Sequence, residues 1–188
     1  WCLPMCGHGT IGIATIVLEE NLIKPKVEGV LKIEVPAGTI EVNYKMKNEK
    51  VEWVEIKNVD SYLADKNLII HSDGLGEIKF DVSYGGNFYA IIENQKNYLG
   101  LKNYNAEELI SFSREIRDKI NKKYPNRFIH PIDKSIRDVS HILWTGQVID
   151  NESSSRNAVF YGDKAIDRSP CGTGSSARMA QLFSQNKL

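Results

Sequence analysis

The chain has 188 residues, of which 41% are apolar, enough to bury a core in one large domain or two small ones. Its 24 Lys+Arg balance 24 Asp+Glu, so no positive field exists to hold a nucleic-acid backbone or an anionic membrane surface, and a small molecule is the expected partner. The longest apolar run, residues 11–18 with Gly12 and Thr15 inside it, falls well short of the roughly 20 residues a membrane-spanning helix needs. Trp1 stands where a methionine would, and no signal-peptide arrangement follows, so the chain reads as an excerpt of a longer one. Three cysteines, an odd number, argue against a disulfide framework and for reduced thiols in a cytoplasmic setting.

Residues 10–20 are apolar on nearly every face through Ile11, Ile13, Ala14, Ile16, Val17 and Leu18, which predicts a helix enclosed on all sides. From Val27 to about Ile91 short alternating runs follow: residues 30–35, 40–44, 51–56 and 78–82. Alternation of this kind predicts antiparallel strands with one buried face. Asn105 with Glu108 forms a capping pattern, and Leu109, Phe112, Ile116 and Ile120 then share a face, giving a covering helix over 105–123. Strand-like runs return at 142–148 and 158–161, and a last helix is expected over 175–183. The class is α+β.

Near the two ends stand Cys6-Gly7-His8-Gly9-Thr10 and Cys171-Gly172-Thr173-Gly174-Ser175, a shared C-G-x-G-[S/T] element just before a helix in each case. Such a duplication suggests two related half-domains, each presenting one thiol at a helix start. A helix N-terminus offers unpaired N–H groups and partial positive charge, conditions that can lower a cysteine from ~8.5 to about 3.5–7.5. The flanking glycines let the backbone approach and donate to an anion such as a carboxylate. Two such loops face to face would leave one thiol on each side of the adjacent α-carbon. One cysteine could then remove the α-proton while the other delivers a proton to the opposite face, inverting the centre with no cofactor.

Plainer readings exist for the same residues. A free cysteine is often a small buried apolar residue, and Cys6 with Cys171 could oxidise to a disulfide, at the expense of the anion site. Cys2, Cys6 and His8 form C-x3-C-x-H, but a fourth zinc ligand is missing, so no metal is assigned and Cys2 is taken as structural. His71 and His130 have no motif around them and receive no role. A non-enzymatic thiol module, binding metal or sensing redox state through Cys2 and Cys6, is the contrasting hypothesis.

Residues 5–12, Met-Cys-Gly-His-Gly-Thr-Ile-Gly, and 167–174, Asp-Arg-Ser-Pro-Cys-Gly-Thr-Gly, resemble the paired signatures of the proline racemase family. Val35-Pro36-Ala37-Gly38 and Tyr84-Gly85-Gly86-Asn87-Phe88-Tyr89-Ala90 are similar to further family segments, so the resemblance spans essentially the whole chain. It implies a diaminopimelate-epimerase-like fold of two pseudo-symmetric halves, each a mostly antiparallel sheet around a central helix. On this division residues 1–25 belong to the first half and 26–188 to the second. It also implies that Cys6 and Cys171 are the acid/base pair and that Gly7, His8, Gly172 and Thr173 bind the substrate carboxylate. Asp167 would receive the substrate ammonium; its plainer reading is a surface salt bridge with Arg168. For His8 the plainer reading is a helix-start hydrogen bond.

Three activities occur in that family: proline racemase, 4-hydroxyproline 2-epimerase, and a trans-3-hydroxyproline dehydratase with threonine at the second cysteine. Cys171 disfavours the dehydratase. Racemases typically carry phenylalanine ten positions before the second cysteine, where this chain has Tyr161. Epimerases usually carry a histidine on the strand leading to the second signature, and His141 stands there. Polar groups that pair with a ring hydroxyl would be left unpaired by plain proline, so the expectation is interconversion of trans-4-hydroxy-L-proline and cis-4-hydroxy-D-proline, with proline racemase as the alternative. A packed or surface role is the plainer reading of His141. The expected partner is an imino acid, with no cofactor, and a homodimer is allowed for.

Overall fold

The computed structural model describes residues 3–188, in which an α-helix, six strands, a second α-helix, three strands and a third α-helix follow in order. Helix α1 (Gly7–Glu19) is followed by β1 (Val30–Val35), β2 (Gly38–Lys47) and β3 (Lys50–Lys57), an antiparallel sheet in the order β1-β2-β3. Met5, Ala14 and Leu18 pack on its buried face against Leu31, Ile40, Val42 and Tyr44. These alternate in sequence because successive strand residues point to opposite faces.

A second sheet has six strands: β4 (Tyr62–Ser72), β5 (Gly76–Tyr84), β6 (Phe88–Ile92), β7 (His141–Gly146), β8 (Arg156–Tyr161) and β9 (Ala165–Ile166), hydrogen-bonded in that order. Every pair is antiparallel except β6 with β7, where Tyr89 stands beside His141 and Ile92 beside Trp144. A parallel neighbour needs a crossover, and α2 (Ala106–Lys123) supplies it. Asn105 and Glu108 close a reciprocal capping box at its start, worth about 1 kcal/mol. Leu109, Ile116 and Ile120 then cover Phe80, Ile142, Trp144 and Phe160, each full burial contributing roughly 1.5–3 kcal/mol. The Trp144 indole N–H donates to Ser113 of α2 at 2.7 Å, so the polar atom buried with the ring is paired.

Helix α3 (Gly172–Ser184) covers the opposite face of this sheet, where Tyr89, Ile91, Leu143, Val159, Cys171 and Ala177 form a separate apolar cluster. Covered on both sides, β6 is buried at every residue. The expectation of a fully enclosed first helix is not met: Ile11, Ile13 and Ile16 of α1 are 42, 58 and 57% exposed, because only one sheet packs against α1. No helix among the described residues is long and apolar enough to cross a membrane.

Candidate active site

Cys6 and Cys171 both occupy the N-cap of a helix, α1 and α3 respectively, and neither helix has a side-chain cap. The first backbone bonds of the two helices are Thr10 N–H to Cys6 C=O at 3.0 Å and Ser175 N–H to Cys171 C=O at 2.7 Å. The three N–H groups between each pair therefore lie in a first turn, where no intrahelical acceptor exists. Both thiols are free, Cys6 half-buried and Cys171 buried.

The third residue after each thiol is glycine for a steric reason. A Cβ at Gly9 would lie 3.1 Å from the Cys6 Sγ, and one at Gly174 would lie 2.9 Å from the Cys171 Sγ. Gly7 and Gly172 differ, since a Cβ at either meets nothing within 4 Å. Each sulfur thus sits over the first turn of its own helix, and the space beside Gly7 and Gly172 is open. The two turns meet: Gly7 and His8 of α1 and Gly172 and Thr173 of α3 line one cleft of about 280 Å³, together with Met5, Asn58 and Ser169.

The Gly85-Gly86-Asn87 loop joins the two halves of the cleft. A Cβ at Gly85 would fall 2.2 Å from the Thr173 carbonyl, and one at Gly86, whose φ is +110°, would fall 2.8 Å from the Met5 Cβ. Only glycine fits between the two cysteine segments there. Asn87 donates to the Met5 carbonyl at 2.8 Å, and Asn58 donates to the Gly85 carbonyl and to Ser176 of α3 at 2.8 and 3.1 Å.

Around Cys171 the electrostatics are mixed. Burial pushes the thiol above its ordinary value, and the Tyr89 hydroxyl and Gly174 N–H oppose that by favouring the thiolate. Asp167 adds to the upward push through its charge and a hydrogen bond. A helix terminus alone was expected to lower this thiol; desolvation outweighs it here. Asp167 is held by the Ser169 N–H at 2.8 Å, and Ser169 in turn accepts the Cys171 N–H at 3.0 Å, so the loop fixes the carboxylate near the sulfur. His8, exposed at the first turn of α1, approaches the Cys6 Sγ through Nε2 at 3.8 Å.

Cys6, Cys171 and Asp167 adjoin the residues that line the cleft between the helices but are not themselves in its lining, and neither are His141 and Tyr161. His141 begins β7 on the face that carries Tyr89 and α3; its ring lies 4.6 Å from that of Tyr89 and its Nδ1 is 2.7 Å from Ser140 Oγ. Burial, with the Arg117 charge, pushes its pKa down to about 3, so the imidazole is neutral at physiological pH. Tyr161, half-buried at the end of β8, falls opposite His141 one step beyond the last ladder pair, Ile142 with Phe160. Tyr89, His141 and Tyr161 therefore form a row across three neighbouring strands. Cys2 lies outside the described residues.

A sequence profile of the proline racemase family matches residues 1–188. The chain belongs to the proline racemase family. It is 54% identical over 187 residues to a 4-hydroxyproline 2-epimerase of Spirosoma linguale, covering all of this chain and 55% of that protein. It is 52% identical to a 4-hydroxyproline 2-epimerase of Shewanella loihica, again covering all of this chain and 56% of that one. The chain thus spans about half the length of the curated relatives it matches. Its fold superposes on a crystal structure of a hydroxyproline epimerase from Agrobacterium vitis, solved with trans-4-hydroxy-L-proline bound, with a TM-score of 0.86 and 28% identity over 98% of this chain and 53% of that one. The α+β, mostly antiparallel architecture expected from the family resemblance is the one observed.

Within a proline racemase family chain, Tyr89 is the residue the motifs did not single out. Its hydroxyl lies 2.6 Å from Thr173 Oγ1 and 3.6 Å from Cys171 Sγ, and the side chain is fully buried. The sequence signal was present, since Tyr89 sits in the segment 84–90 that resembles the family, but which face of β6 it occupies requires the strand pairing.

Proposed function

We propose that the protein containing this chain is a 4-hydroxyproline 2-epimerase, interconverting trans-4-hydroxy-L-proline and cis-4-hydroxy-D-proline by proton transfer at the α-carbon with no cofactor. The observation that carries the reading is the pair of thiols at the N-caps of two helices whose first turns line one cleft. Cys6 and Cys171 are the two acid/base groups. The N–H groups of Gly7, His8, Gly172 and Thr173 receive the substrate carboxylate, where helix-terminal charge favours an anion. Asp167, fixed beside Cys171, receives the ammonium and sets the α-carbon between the sulfurs.

The names and the bound hydroxyproline of the relatives support the substrate class. His141 and Tyr161 stand outside the lining of the cleft, in the row with Tyr89 on the Cys171 side, so their part in recognising the ring hydroxyl is proposed for the substrate-bound protein and rests on the residue types alone. A proton removed by one thiolate leaves a carbanion whose charge spreads into the carboxylate, where the two helix termini stabilise it. The opposite thiol then protonates the other face, and the two cysteines exchange roles for the reverse substrate. The thiols must be reduced, which fits a cytoplasmic setting.

The test is incubation of trans-4-hydroxy-L-proline and L-proline separately in heavy water, following α-deuteration and optical rotation. Inversion of the hydroxylated substrate alone supports the reading. Inversion of proline alone replaces it with racemase activity, and loss of water replaces it with a lyase. Full inversion by Cys171→Ser would refute the two-thiol mechanism.

A further inference from the structure

Cys171 has a problem that Cys6 does not share. It must alternate between thiol and thiolate in every catalytic cycle, yet it is only 6% exposed, and Ile91, Leu143, Val159 and Ala177 close around it. A thiolate in such surroundings needs dedicated donors. Gly174 N–H is one. The other donor is the Tyr89 hydroxyl, which also stands 2.6 Å from Thr173 Oγ1.

We infer that Tyr89 is a positioning residue for Cys171, whose hydroxyl hydrogen switches partner between Cys171 Sγ and Thr173 Oγ1 as the sulfur gains and loses its proton. This rests on the reading of Cys171 as an acid/base thiol. When Cys171 is a thiolate, Thr173 O–H donates to Tyr89 and Tyr89 O–H donates to the sulfur. When Cys171 is a thiol, Tyr89 O–H turns to Thr173 Oγ1, and the S–H hydrogen is free to point at the substrate. No proton leaves the tyrosine in either state, because burial holds its phenol protonated well above the ordinary tyrosine range. Only two hydroxyl rotations accompany each change of charge. The 3.6 Å and 2.6 Å separations allow both arrangements with no backbone movement.

Four other groups face this relay, and Asn87 is the one that hydrogen-bonds the Tyr89 hydroxyl itself. Asp167 precedes Cys171 on its own loop and favours the thiol. His141 packs against the Tyr89 ring from β7, and Arg117 of α2 acts on His141 from beyond it. His141 is neutral and packs by its ring, so it fixes where the Tyr89 hydroxyl points and adds no charge.

The experiment is residue-resolved alkylation of the unliganded protein with iodoacetamide across pH, read by peptide mass spectrometry so that Cys171 is separated from Cys6 and Cys2. Tyr89→Phe is expected to move the Cys171 midpoint upward by about one to two pH units, the loss of a hydrogen bond to a charged group. Thr173→Val should move it the same way by less, since it removes only the group that polarises the tyrosine. Because the readout is thiol ionisation, it stands whether or not the epimerase reading of the whole protein holds. A Tyr89→Phe protein that melts earlier but titrates Cys171 at the wild-type midpoint would overturn the inference, reducing Tyr89 to packing. Should Tyr89→Phe fail to fold, an unmoved midpoint in Thr173→Val overturns it equally.

Discussion

Gly174→Ala sets helix propensity against the geometry of the thiol. In an exposed helix interior the change would stabilise by about 1 kcal/mol, since alanine fixes less backbone entropy. Here the added Cβ would lie 2.9 Å from Cys171 Sγ, 3.2 Å from Tyr89 Cε1 and 3.3 Å from Val159 Cγ2, all within a packed cluster. Carbon contacts are optimal at ~3.5–4.0 Å, so the sulfur must retreat by more than half an ångström, and overpacking of this kind costs ~1–3 kcal/mol. The net expectation is a loss of about 0–2 kcal/mol, or a fall in Tm of up to ~8 °C for a chain this size. Activity should fall far more, since a misplacement of order 1 Å can cost about 100-fold. Gly9→Ala meets only its own Cys6, at 3.1 Å and half-buried, and should lose less. Gly12→Ala, which meets nothing within 4 Å, should gain stability and keep activity. The assay is α-deuteration of trans-4-hydroxy-L-proline in heavy water, run beside thermal melts. Wild-type exchange by Gly174→Ala would show that the sulfur position over this turn does not matter to the reaction.

Asp167→Asn removes a charge that pushes Cys171 up, so its alkylation midpoint should fall while the KM for hydroxyproline rises; an unmoved midpoint would separate Asp167 from the thiol. Asn87→Ala leaves the buried Met5 carbonyl without its donor, and a loss of about 1–3 kcal/mol in denaturant melts is expected, together with slower exchange. His141 has a folded pKa of about 3 against ~6.5 unfolded, so the unfolded chain binds the extra proton between those values. Stability should therefore be lost as pH falls from about 6.5 toward 3, at up to ~1.4 kcal/mol per unit for this one group. His141→Asn should flatten that slope and weaken discrimination between hydroxyproline and proline; an unchanged acid limb would mean the imidazole is not held neutral.

How much of this could be read from residues alone depended on whether one face of an element met water. Strands β1, β2, β3 and β5 announced themselves by alternation, and the capping box of α2 fixed its start to within a residue. Strand β4 did not, because its register shifts between Leu63 and Leu68 and Asn67 takes φ +59°, which breaks the period of two. Strand β6 offered no alternation, being buried on both faces, and its parallel pairing with β7 spans the whole α2 crossover.

Both cysteine helices start three residues earlier than the apolar pattern suggested, at Gly7 and Gly172 in place of Thr10 and Ser175. The error is the same in both copies and has one cause. Glycine is a poor helix former by propensity, yet in these first turns Gly9 and Gly174 make room for the sulfur three residues before them, and packing decides. The duplicated cysteine motif therefore suggested a chemistry more readily than it revealed where its two helices begin. Tyr89 shows the opposite case. Its role depends on a side chain in the middle of a buried strand meeting a residue 82 positions away, and no local pattern encodes that meeting. The groups proposed to touch substrate cluster in short motifs, because a helix turn carries several of them at once. A group that serves the thiol from behind is recruited from whichever strand the sheet brings there, so strand order decides which residue that is.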